Sequence, residues 1–97
     1  MFIVFLKFSY NKAAVTEHMS AHNDWIAQGF ADGVFQCVGS ITPAAGGMIL
    51  ALEDDLETLQ ARINQDPFVI HNVVHAEITQ IDVKKTTPAL DHLKGAA

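Results

Sequence analysis

Cysteine is nearly absent: Cys37 is the one thiol in 97 residues, which excludes a disulfide framework within the chain. A lone cysteine suits a reducing, cytoplasmic setting, where Cys37 reads as a small core hydrophobe. Basic residues are scarce too. Six Lys and Arg stand against eleven Asp and Glu, for a net charge of −5. Lys84-Lys85 is the only basic pair, too little to track a phosphate backbone, so nucleic acid is excluded as a partner. Charge of either sign is thin at 18%, where an average domain has about 25%. With 49% of residues hydrophobic, the chain has too little polar surface for a comfortable monomer. A second copy is the simplest cover for the excess. The apolar run Met1 to Phe8 lacks a basic leader region and a cleavage site and is far too short to span a bilayer, so no membrane role is expected.

No linker, internal repeat or low-complexity stretch divides the chain, which reads as one domain over residues 1–85 with a tail at 86–97. Phe2 to Phe8 is a strand apolar on both faces. A helix over Ala14 to Phe30 follows, with Val15, Met19, Ile26 and Phe30 as its buried stripe, and Asp32-Gly33 stops it. Val34 to Ile41 is a second strand, in which Gly39 predicts a bulge or a close backbone approach. The turn at Thr42 to Gly47 returns it as Met48 to Leu52, an antiparallel hairpin. Asp54 and Glu57 form a capping box for a second helix, whose stripe is Leu56, Leu59 and Ile63. Asp66-Pro67-Phe68 and a short loop lead to a last strand over Val73 to Val83. The tail has room for one docked turn at Leu90 to Leu93. The order βαββαβ predicts an α+β, ferredoxin-like fold with a four-stranded antiparallel sheet and both helices on one face. The other face then meets a second copy, sheet on sheet, as a dimeric α+β barrel.

Among polar residues, His22 stands out because it falls in the first helix's apolar stripe, between Met19 and Ile26. An imidazole there is partly desolvated, which favours the neutral form of a general base. The ordinary reading, a core histidine satisfied by a carbonyl, stays open. Asp66 is the second candidate: Pro67 forbids helical geometry before it, so Asp66 is held extended or as a cap. A carboxylate so placed can orient an imidazole and stabilise its protonated form. Trp25, one turn beyond His22, is core packing or a pocket wall. The pairs His18 with His22 and His71 with His75 are spaced four apart. The first lacks a third ligand, and the second covers about 13 Å of strand rise, so no metal is expected. His18, His71 and His92 read as surface residues. Gly46-Gly47 is too short for a phosphate cradle and leads into no helix.

From its first strand to its last, the chain resembles the YciI-like, or YCII-related, family. The features that carry the likeness are Ala21-His22, Gly33, Val38-Gly39-Ser40, Pro43 through Gly46-Gly47, Ile49-Leu50, Asp66-Pro67-Phe68 and Glu77-Ile78, in that order. The resemblance implies a dimeric α+β domain with a site centred on His22 and Asp66. The family includes a dehydrochlorinase acting on chlorinated hydroxyhydroquinones and looks related to muconolactone-isomerase-type barrels. Ser40 stands where family members often have Pro, Ala44 where a basic residue is frequent, and Met19 where Arg is frequent. Two cations that relatives often carry are therefore missing.

Together these features predict a cytoplasmic homodimer with a pocket between the first helix and the open sheet face. His22 and Asp66 are its catalytic residues; Trp25, Gly39, Ser40 and Phe68 bind a small cyclic or aromatic substrate. Proton abstraction would drive an elimination or isomerisation of the lyase, dehydrochlorinase or isomerase type, which needs no cofactor. The alternative is a non-catalytic dimeric ligand-binding or accessory module.

Overall fold

Phe2, Val4 and Leu6 enter the core from alternate positions of one strand, β1 (Phe2–Phe8), and the other elements are arranged around it. The computed structural model describes residues 1–95. A 3₁₀ turn at Lys12–Ala14 leads into helix α1 (Val15–Ala31), and strands β2 (Phe35–Ile41) and β3 (Gly46–Ala51) form the hairpin. Helix α2 (Leu56–Ile63), a single turn α3 (Pro67–Ile70) and strand β4 (Val74–Gln80) complete the domain. A second 3₁₀ segment at Pro88–Leu93 places Leu93 in a buried position. The sheet order is β2-β3-β1-β4 with every neighbouring pair antiparallel. This is the ferredoxin-like α+β fold. No helix among the described residues is long and apolar enough to cross a membrane.

Leu59 and Ile63 of α2 join Phe2, Val4, Phe35, Ile49 and Phe68 in the core. Strand alternation then sends Ile3, Phe5, Met48 and Leu50 to the opposite face. At the hairpin, Gly46 has a positive φ, and a Cβ there would overlap the carbonyl oxygen of Leu6. Only glycine lets the two backbones approach so closely.

Several details depart from the sequence pattern, each for a local reason. The face that α1 buries is His22 and Gly29, with Trp25 beside them; Met19 and Phe30 are 41% and 43% exposed. Gly29 sets this phase, because the Phe35 ring occupies the space its side chain would fill. Phe30 instead meets Phe35 edge-on from outside, with centroids 6.2 Å apart. Leu56 is exposed, and the cap of α2 is Asp55, whose side chain accepts from the Thr58 amide, not Asp54. The irregularity of β2 lies between Phe35 and Cys37 and not at Gly39, which has open space around it. Cys37 opposes Leu50 on the helix-free face and is exposed, so it is not a core residue.

The two long helices are stitched by polar contacts. Trp25 Nε1 donates to the Arg62 carbonyl at 3.1 Å, and the Arg62 guanidinium pairs with Asp32 at 3.0 Å. Hydrogen bonds from Gln28 and then from Arg62 hold the Asp32 carboxyl below the usual carboxylate range. A depressed carboxylate stabilises the fold fully above its unfolded value, about pH 4, and loses that contribution as pH falls through its folded value. Thermal melting across pH should therefore show Arg62→Met melting below the parent chain by a constant interval above about pH 5. That interval should shrink below about pH 4. An interval unchanged into strong acid would reject this role for the pair.

Gly29→Ala would raise intrinsic helix propensity by about 1 kcal/mol. Here it should instead destabilise by about 1–3 kcal/mol in denaturant titration, since the new methyl collides with Phe35. The loss should be smaller in a Phe35→Leu background. A stabilised Gly29→Ala chain would contradict this packing.

Candidate active site

Asp66 takes an extended conformation, with φ −60° and ψ 122°, and caps α3 with Pro67 in its first turn. Its Oδ1 accepts the Phe68 amide at 3.0 Å. This Asp-Pro-Phe sequence builds one helical turn where the apolar pattern alone indicates a loop. The same Oδ1 lies 2.7 Å from Nδ1 of His22. Asp66 is fully buried, and its other oxygen, Oδ2, is buried with no hydrogen bond among the described residues. With the carboxylate ionised, and so only an acceptor, the shared proton is on Nδ1 and Nε2 is the basic nitrogen.

The His22 ring lies flat on Phe68, with centroids 3.9 Å apart and planes 7° from parallel. Imidazole orientation is thus fixed twice, by the carboxylate in the ring plane and by the phenyl against one face. His22 retains 8% exposure, enough for the ring to form part of the wall of a cavity of about 420 Å³. Val15, Met19, Asn23 and Ile26 supply the α1 side of that wall. Leu6, Phe8, Val38, Ser40, Gly47 and Ile49 line the opposing sheet.

The cavity lies on the helix-covered side of the sheet, not between the first helix and the open face. Its cause is local. Ser40 and Gly47 are register partners, and Gly47 in turn faces Leu6, so the sheet presents little bulk below α1 at this point. His22, Gly39, Ser40 and Phe68 all line the space. Asp66 stands behind His22 and does not. Trp25, expected at the substrate wall, does not line it either. Its ring packs edge-on against Phe35 at 5.1 Å, and its indole N–H is taken by the Arg62 carbonyl.

Asn23 lines the cavity next to His22 and escapes periodicity arguments, because a polar residue beside a stripe carries no signal. His18 is less exposed than a surface residue, stacked on His71 with centroids 3.9 Å apart. The ring contact joins one member of each pair spaced four apart in sequence. Among the described residues, no three His, Cys, Asp or Glu side chains cluster as metal ligands.

Comparison with known proteins bears on this arrangement. No curated protein matches the chain. A solved structure of 5-chloro-2-hydroxyhydroquinone dehydrochlorinase (TftG) from Burkholderia phenoliruptrix AC1100, in complex with 2,5-dihydroxybenzoquinone, is similar in fold with a TM-score of 0.67. The likeness covers 84% of this chain and 93% of that one at 10% identity, so it speaks to architecture alone. The family model of the YCII-related domain matches residues 1–82 of the 97. The chain belongs to the YCII-related domain family.

Proposed function

We propose that this protein is a small cytoplasmic enzyme in which His22 removes a proton from a cyclic or aromatic substrate held in the cavity. The reading rests on one observation: a buried carboxylate 2.7 Å from Nδ1 of an imidazole that lines the cavity wall. Nε2 takes a proton from carbon beside a carbonyl or from an enol. Asp66 then faces an imidazolium and stabilises it, a stabilisation that grows as the transition state is approached. Departure of a leaving group completes an elimination, and return of the proton at another atom completes an isomerisation. Neither outcome calls for a cofactor. The fold shared with a dehydrochlorinase supports elimination as the first reaction to assay.

The helix-free face of the sheet carries Ile3, Phe5, Met48 and Leu50, and we propose that a second copy covers it. Sheet-on-sheet packing buries such a face about 10 Å from its partner. Light scattering should give a mass twice the 10.6 kDa of one chain, and Phe5→Lys should halve it. A parent chain of single mass would remove the dimer and leave the site intact.

Turnover tests the chemistry. His22→Ala should lower kcat by about 10²–10⁴-fold, the usual worth of a positioned base. Asp66→Asn keeps an acceptor for the Phe68 amide but removes the charge, and it should lower kcat with little change in KM. Asp66→Ala leaves both the Phe68 amide and the His22 N–H unpaired, and it should cost about 1–3 kcal/mol for each buried group in denaturant titration. Full turnover in His22→Ala, with only its stability reduced, would favour the non-catalytic ligand-binding module.

A further inference from the structure

The cavity wall contains hydrocarbon, His22 and the neutral side chains of Asn23 and Ser40, with no Lys, Arg, Asp or Glu among its residues. One cation stands against that wall. The Lys12 ammonium lies 4.6 Å from the centroid of the Phe8 ring, and Phe8 is a wall residue. Lys12 sits in the 3₁₀ turn that ends just before Val15, another wall residue.

The backbone under Lys12 is held in place. The Ser9 amide donates to the Val73 carbonyl at 2.9 Å, and the Asn11 amide donates to the Asn72 carbonyl at 3.1 Å. Asn11 Nδ2 adds a bond to the His71 carbonyl at 2.7 Å. Lys12 therefore extends a flexible stem from an anchor tied to the α3–β4 loop, the segment that follows Phe68.

Its charge is also uncommitted. Lys7, Arg62, Lys84 and Lys94 pair with Glu77, Asp32, Asp82 and Asp91. Lys12 has no carboxylate partner among the described residues, in a chain whose net charge is −5. A phenyl face attracts an ammonium only weakly where water reaches it, about 0.5–1 kcal/mol. An anion can therefore draw Lys12 from its resting place over Phe8.

We infer that Lys12 selects the ligand's charge: the cavity takes a small ring acid, a carboxylate or phenolate, whose ring lies among Phe8, His22 and Phe68 and whose anionic group meets Lys12. This rests on the cavity being the ligand site, as proposed above, and supplies the cation that the wall itself lacks. The pairing is near water, so it discriminates between ligands more than it adds total affinity, and salt weakens it.

The test uses benzoate and its neutral analogue benzamide as probes, titrated into the full chain while the backbone amides of Ser40 and Gly47 are followed by NMR. The parent chain should bind benzoate at least fivefold more tightly than benzamide, with the ratio falling as salt is added. Lys12→Met should bring the ratio within twofold and leave benzamide binding unchanged. Lys85→Met should preserve the preference. Equal binding of the two probes to the parent chain, or a preference that survives Lys12→Met, would overturn the assignment of Lys12 while leaving the cavity as the site. If neither probe moves Ser40 or Gly47, the cavity is not a ligand site for ring compounds, and both proposals fall.

Discussion

One oxygen atom ties the site together. Oδ1 of Asp66 accepts from the Phe68 amide and from His22 Nδ1, joining the start of α3 to the middle of α1 across 44 residues of sequence. The carboxylate is fully buried, so each of these partners answers a desolvation cost that would otherwise oppose folding. The second oxygen has no donor among the described residues, which leaves the carboxylate's charge to be met through Oδ1. An imidazolium at His22 is the group best placed to meet it. The contact that holds two helices together is therefore also the one that would stabilise a transferred proton, and stability and chemistry draw on the same atom.

How far the sequence foretold this differs from residue to residue. The order of elements and the ferredoxin-like fold were legible because β1 is apolar on both parities and the two helical stretches are well separated by turn residues. His22 was legible as a polar intruder in an apolar stripe, and Asp66 as a carboxylate pinned by Pro67. Their meeting was not. It depends on α3, a single turn that buries only Phe68 and so has no period to read. The phase of α1 was legible in part, since Val15, Met19, His22 and Ile26 face the sheet across the cavity. Hydrophobic spacing marked Met19 and Phe30 as inward, but the closest approach to the sheet is at Gly29, a residue that no hydrophobic count registers. Cys37 looked like a core residue until the irregularity before it turned its side chain to the helix-free face.

The cavity follows from the same economy of side chains. Gly47 and Ser40 place little bulk under α1, while Gly29 lets the far end of that helix sit close to Phe35. The helix is thus drawn to the sheet at one end and stands off it at the other. Wall residues on α1 run from Val15 to Ile26, about 16 Å along the axis at the standard helical rise.

Access to His22 is directional as a result. Phe68 closes one face of the imidazole at stacking distance, and Asp66 occupies the in-plane direction at Nδ1. These two contacts leave the opposite face and the edge that carries Nε2, in a ring that lines the cavity. A proton is transferred along the lone pair in the ring plane, so edge-on access suits a base better than face-on access would. The phenyl stack stabilises either tautomer, so it is the bond to Asp66 that sets the tautomer. The carboxylate at Nδ1 serves a buried structural pair and, under the proposed function, also answers the charge once a proton arrives at Nε2.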